Sequence, residues 1–165
     1  MGRILLTMIV IFVLPIILYG STALGLTAGD EAPQFINVTD LEGHLIAQDK
    51  YKDRPLFLSF WTSWCPQCKK NFSLIDELYT KYNPQGLQFL AVNAGYGDSL
   101  KRARAIQKKY EPKFPMAYAH ESKMSKDFGV RGVPMFFLLD TEHTVVSVEY
   151  EITDQMIEAI IELLK

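Results

Sequence analysis

The only two cysteines of the chain, Cys65 and Cys68, stand three positions apart in "FWTSWCPQCKKN", behind Trp64 and around Pro66 and Gln67. Cysteines serve as metal ligands, as structural staples or as a reversible redox pair. A staple is weak here, because a bridge closing so short a loop removes little entropy from the unfolded chain. A zinc site needs about four ligands, and a copper site needs soft or imidazole donors. The three histidines, His44, His120 and His143, lie in separate segments and read as surface or turn residues. Thiol–disulfide exchange fits the spacing best, with no metal and no bound cofactor.

Exchange needs a thiolate, and the flanking sequence supplies a place for one. "PLFLSFWTS" is a nearly continuous apolar and aromatic run, which reads as a central buried strand. Phe72, Ile75, Leu78, Tyr79 and Tyr82 then recur at helical spacing up to the break at "NPQG". The cysteines therefore fall where a strand passes into the first turn of a helix. There Cys65 faces unpaired backbone N–H groups and the positive end of the helix dipole, which stabilise its thiolate. Cys68, one turn on, lies on the same side and can attack a mixed disulfide formed at Cys65. Pro66 suits an early helical position, where its missing N–H costs nothing. Trp61 reads as core, while Trp64 is divided between core packing and a flat apolar surface for a substrate chain.

The rest of the chain supplies the frame. "EAPQFINVTDLEGHLIAQDKYKDR" holds two short extended runs around Glu42 and Gly43, which predicts an N-terminal β-hairpin. "LQFLAVNA" reads as a second buried strand, and "DSLKRARAIQKKY" as a helix with Leu100, Ala103, Ile106 and Tyr110 inward. Its Lys101, Arg102, Arg104, Lys108 and Lys109 read as a solvated face, with a docking patch for an acidic partner as the second reading. "FPMAYAH" gives a short strand and "SKMSKDF" a short helix closed by Gly129. "VPMFFLLD" and "TVVSVEYE" pair around "TEH". Thr153 opens a last helix with Ile157, Ile160, Ile161 and Leu164 inward. Strands and helices alternate and end in a hairpin and a helix, the pattern of an α/β protein with a central mixed β-sheet flanked by helices.

At 165 residues the chain makes one domain, and its 48% apolar content is that of a globular protein. A net charge of −2 argues against nucleic acid as a partner. The first 25 residues differ from the rest. "MGR" carries a positive charge, "ILLTMIVIFVLPIILY" is apolar all round, and small polar residues follow. Residues 1–25 are thus expected to be a signal peptide or an N-terminal membrane anchor, with the folded domain over 26–165. Export would place the cysteines in a disulfide-permissive compartment.

From about Ala32 to Lys165 the chain resembles the thioredoxin superfamily, and within it the exported TlpA/ResA-like thiol-disulfide oxidoreductases. "APQF", "FLSFWTSWCPQCKK", "FLAVNAG" and "FGVRGVPMFFLLD" carry the resemblance. It implies a thioredoxin fold, with Cys65 as attacking thiol, Cys68 as resolving thiol and Pro134 as a cis-proline beside the disulfide. It also implies that the backbone at Val133 pairs with an extended substrate segment, in a site bordered by Trp64 and Pro66. Expected partners are exported proteins with disulfides, apocytochrome c among them, and a membrane thiol-disulfide reductase as electron donor. Expected location is outside the cytoplasm.

Two positions depart from the pattern. Classical thioredoxins place a buried acid six residues before the first cysteine, where this chain has Ser59. Many ResA-like members place a glutamate three residues after the second, where this chain has Asn71. Two other readings compete. Peroxiredoxins share an "APxF" opening and a threonine placed like Thr62, but have a proline where this chain has Leu58. A non-catalytic thioredoxin-fold binding module would need neither intact cysteines nor the proline. Asn37 and Asn71 also begin short glycosylation triplets, of the kind that arise by chance.

Overall fold

The computed structural model describes residues 25–165, so the predicted signal or anchor lies outside the described residues. Six strands form one sheet in the order β1-β4-β3-β2-β5-β6. They are β1 (Val38–Asp40), β2 (Leu56–Trp61), β3 (Gln88–Asn93), β4 (Met116–Ala119), β5 (Met135–Leu139) and β6 (Val145–Glu149). Four helices connect or flank them: α1 (Pro66–Tyr82), α2 (Leu100–Tyr110), α3 (Lys123–Asp127) and α4 (Asp154–Leu163).

The middle of the sheet is parallel, with β2 beside β3 and β3 beside β4, each pair joined through a helix as parallel neighbours require. The flanks are antiparallel, β1 on β4 at one edge and β5 and β6 beyond β2 at the other. Every residue of β2 is buried, which explains its unbroken apolar run. The run nevertheless splits by alternation. Phe57 and Trp61 face one core with α1, Ala103 of α2, and Met156 and Ile160 of α4. Leu56, Leu58 and Phe60 face a second core with Tyr51, Met124 of α3, and Phe128.

Two elements differ in detail from the sequence expectation. The N-terminal hairpin is present as a tight turn, with Asp40 accepting from the N–H groups of Glu42, Gly43 and His44. Its return limb shrinks to one bridge, Thr39 to Leu45, while the other edge of β1 pairs with β4. In α4 the buried stripe turns toward Met156, and Ile161 is 44% exposed. At ~100° per residue Ile161 stands about 140° from Met156, too far round to reach the sheet.

Candidate active site

After Trp61 the chain leaves the sheet through Thr62–Trp64, and Cys65 caps α1. Cys65 has extended backbone angles, its sulfur receives the N–H of Cys68 at 3.0 Å, and Pro66 follows as the first helical residue. The helix start thus aims its free N–H groups at Cys65 Sγ. Cys65 and Cys68 are bonded to each other, with their Cα atoms 5.4 Å apart. Both are nearly enclosed, at 4% and 2% exposure, while Trp64 beside them is 55% exposed.

The floor under the pair is apolar. Trp61 is buried, gives its indole N–H to the carbonyl of Ala91 at 3.2 Å, and meets Phe72 edge to face at 5.5 Å. Ser59 is buried on β2 between Ala91 and Phe136, so a hydroxyl stands where classical thioredoxins carry a carboxylate. Thr62 is fully buried, and its hydroxyl has no hydrogen-bond partner among the described residues.

The facing wall comes from β5. Because β5 runs antiparallel to β2, its first residue Met135 pairs with Phe60 near the end of β2. The loop ahead of β5 therefore arrives beside the disulfide. The Val133–Pro134 bond is cis, and the Val133 carbonyl oxygen lies 3.7 Å from Cys65 Sγ. A bonded sulfur has no hydrogen to donate, so this is a contact in the oxidised protein.

The loop between β3 and α2 spans both walls. The Trp64 indole N–H donates to the Tyr96 carbonyl at 2.9 Å, and the Tyr96 hydroxyl donates to the Val130 carbonyl at 3.0 Å. One residue thus links the Cys65 loop to the Pro134 loop. Asp98 fixes the former more firmly. Its carboxylate accepts from the backbone N–H and hydroxyl of Ser63, the Asn93 amide, the Ser99 N–H and Arg102 Nε, at 2.5–3.0 Å. Burial opposes the charge, but those donors outweigh it, Ser63 N–H foremost, and hold the Asp98 pKa down to about 2. Lys69 adds a bond from Nζ to the Ser63 carbonyl at 3.1 Å. Gly95 permits the loop's close approach, since a Cβ there would stand 2.5 Å from the Ala119 carbonyl oxygen.

The family model for redoxins matches residues 27–161. The thiol-disulfide oxidoreductase ResA of Bacillus thuringiensis subsp. konkukian is 36% identical over 131 residues, covering 79% of this chain and 74% of the relative. ResA of Halalkalibacterium halodurans is 31% identical over 139 residues, 84% of this chain and 77% of its own. The chain is a redoxin of the ResA type. ResA-type proteins are thiol-disulfide oxidoreductases, and the Cys65–Cys68 pair, at bonding distance, is placed for that activity. A candidate thiol:disulfide interchange protein DsbE from Chlorobium tepidum shares the fold. It has a TM-score of 0.76 at 24% identity, covering 85% of this chain and 99% of that one.

The structure brings together all six residues named from sequence, Cys65, Cys68, Trp64, Pro66, Val133 and Pro134. In this ResA-type site, sequence reasoning missed Asp98 and Tyr96. The one local signal was the "DS" ahead of α2, where Ser99 does cap the helix at Arg102 N–H. Nothing there pointed across 35 positions to Ser63. The histidines stay apart from the cysteines. His44 lies on the exposed turn with Asp40, and His120 bonds Thr39. His143 is a turn residue as expected, but a buried one, held between Gln48 and the Tyr51 carbonyl. Among the described residues no group of three or more His, Cys, Asp or Glu is placed to hold a metal.

Proposed function

We propose that this ResA-type protein works outside the cytoplasm, where it reduces disulfides in exported proteins. Residues 1–25 carry it there as a signal peptide or hold it as a membrane anchor, and residues 26–165 form the redox domain. Among the described residues no helix is long and apolar enough to cross a membrane; the apolar run over residues 4–19 supports the reading. The observation that carries the reading is the placement of Cys65 Sγ, which receives the Cys68 N–H and faces the Val133 carbonyl at 3.7 Å.

In the reduced protein the Cys65 thiolate attacks one sulfur of the substrate disulfide. A mixed disulfide forms and the other substrate sulfur leaves as a thiolate. Cys68 gives its proton to water and attacks Cys65 Sγ, since neither Ser59 nor Asn71 is an acid. This closes the Cys65–Cys68 bond and releases the second substrate thiolate, so two electrons have passed to the substrate. The exposed face of Trp64, Pro66 and the backbone at Val133 receive the chain around that disulfide. A membrane thiol-disulfide reductase returns two electrons by the reverse exchange, with no bound cofactor. Apocytochrome c, whose haem-binding cysteines must be reduced, is one substrate of the required kind.

The deciding measurement is the reduction potential of the Cys65–Cys68 pair in residues 26–165, equilibrated in thiol buffers and followed by tryptophan fluorescence. A value near that of thioredoxin, about −270 mV, is expected of a reductant. A value near about −120 mV would reverse the direction and make the protein a disulfide donor.

A further inference from the structure

A groove runs from the start of α1 to the end of α2, and the exchange reaction does not account for it. Pro66, between the two cysteines, forms its near end, and Phe72 and Tyr110 form an apolar wall with rings 5.7 Å apart, edge to face. Tyr110 is 39% exposed there. Lys69 and Lys70 also line the groove, and Lys109 Nζ lies 5.5 Å from the centre of the Tyr110 ring. The groove has one acid, Asp76, and one oxygen of that carboxylate already accepts from the Lys113 N–H at 2.6 Å.

This positive charge is local. The whole chain carries a net charge of −2. The first turn of α1 has no acid, and α2, "LKRARAIQKKY", has none along its length. Within α2 two cations are already engaged, since Arg102 pairs with Asp98 and Arg104 Nε donates to the Leu41 carbonyl. Lys108 and Lys109 are exposed near the groove's far end, and Lys70 near its start. α4, by contrast, carries Asp154, Glu158 and Glu162 with no cation between them. A cationic, aromatic-walled groove thus starts at Pro66, the residue next to the reacting Cys65, on a protein whose overall charge gives no reason for one.

From this we propose that the groove selects substrates, receiving an extended polypeptide segment with acidic residues on one side of the disulfide to be reduced. The proposal rests on the reductase reading above and names the class of chain it prefers. The substrate sulfur sits at Cys65, the flanking segment crosses Pro66, an apolar or aromatic side chain packs on Tyr110, and carboxylates meet Lys70 and Lys109. Attraction of this kind acts mainly on the rate of encounter, and salt weakens it.

The test uses the reduced domain and two synthetic peptides with the same internal disulfide. One has four glutamates and a tyrosine on one side of the disulfide; the other has four glutamines and the tyrosine. Oxidation of the protein is followed by tryptophan fluorescence, with a small uncharged disulfide as reference. The acidic peptide is expected to react about tenfold faster at low salt. That advantage is expected to shrink severalfold at about 0.5 M salt and to vanish in K70E/K109E once each peptide rate is divided by the same protein's rate with the small disulfide. Lys109 also offsets the negative end of the α2 dipole, so K70E is measured alone as well and is expected to lose part of the preference. Equal rates for the two peptides, or a preference untouched by salt and by both variants, would overturn the proposal. Failure to reduce any of the three disulfides would sink the reductase reading and the groove proposal with it.

Discussion

Replacing Asp98 with alanine is expected to loosen the loop that carries Cys65 and to cost the protein about 3 kcal/mol. The carboxylate accepts five hydrogen bonds, and the Asn93 side chain that gives one of them is fully buried. Bonds to a charged acceptor contribute about 1.5–3 kcal/mol each, but water can enter the vacated space, so the losses do not add. The protonation balance gives a second route to the size. An unfolded aspartate titrates near 3.9, against about 2 for folded Asp98. That gap is equivalent to roughly 2.5 kcal/mol, or about 2 after allowance for solvent close to the site. Because the folded value is the lower one, this stability is fully present above about pH 4 and is lost as the pH falls toward 2. Urea denaturation of the oxidised domain, followed by tryptophan fluorescence, should therefore show a gap of about 3 kcal/mol between parent and D98A at pH 7 that narrows to about 1 near pH 2. Thermal scans at pH 7 should place the variant about 10 °C lower. A gap under about 0.5 kcal/mol at pH 7, or one that stays constant as the pH falls, would refute the reasoning.

Three further outcomes follow from other parts of the site and core. Burial pushes the Tyr51 pKa up to about 12, and its hydroxyl has no hydrogen-bond partner among the described residues. Y51F should therefore leave stability unchanged or raise it by up to about 1 kcal/mol; a larger loss on urea denaturation would show an overlooked bond. The raised value keeps the parent's contribution intact below pH ~10 and loses it as the pH climbs toward the folded value, a loss Y51F should not share. Asn71→Glu should change the pH dependence of Cys68 reactivity toward an alkylating reagent, by adding the carboxylate that many ResA-like members carry; an unchanged profile would count against water as the present proton acceptor. Cys68→Ser should accumulate a mixed disulfide between Cys65 and a substrate protein, visible on non-reducing gels, and Cys65→Ala/Cys68→Ser should accumulate none.

The strands and helices around the cysteines were legible because their signals are local. The run "LFLSFW" has no polar interruption beyond Ser59, and the α1 stripe repeats through Phe72, Ile75, Leu78 and Tyr82, all of them buried. The site was half legible. The cysteines and the helix start identify themselves by spacing, whereas the roles of Val133 and Pro134 came from family resemblance. No rule of spacing brings residue 133 to residue 65; the antiparallel register of β5 on β2 does. Asp98 and Tyr96 were hidden for the same reason, since the partners that tie them to the cysteine and proline loops lie more than 30 positions away. In α4 the expected face holds at Ile160, which is buried, and at Ile157 and Leu164, which pack against the core, but Ile161 points outward and Met156, which the stripe omitted, is fully buried.

The register of β5 on β2 also orders events in the life of the molecule. Cys65 and Val133 are 68 positions apart, so during synthesis the cysteines emerge well before the wall that faces them. Until β5 docks, Cys65 has Cys68 for company but no carbonyl opposite and no edge on which a partner chain can lie. The reactive sulfur is thus made first and given its place of work last. A chain ending between Cys68 and the fifth strand would keep both thiols and lack the carbonyl of Val133 that faces them.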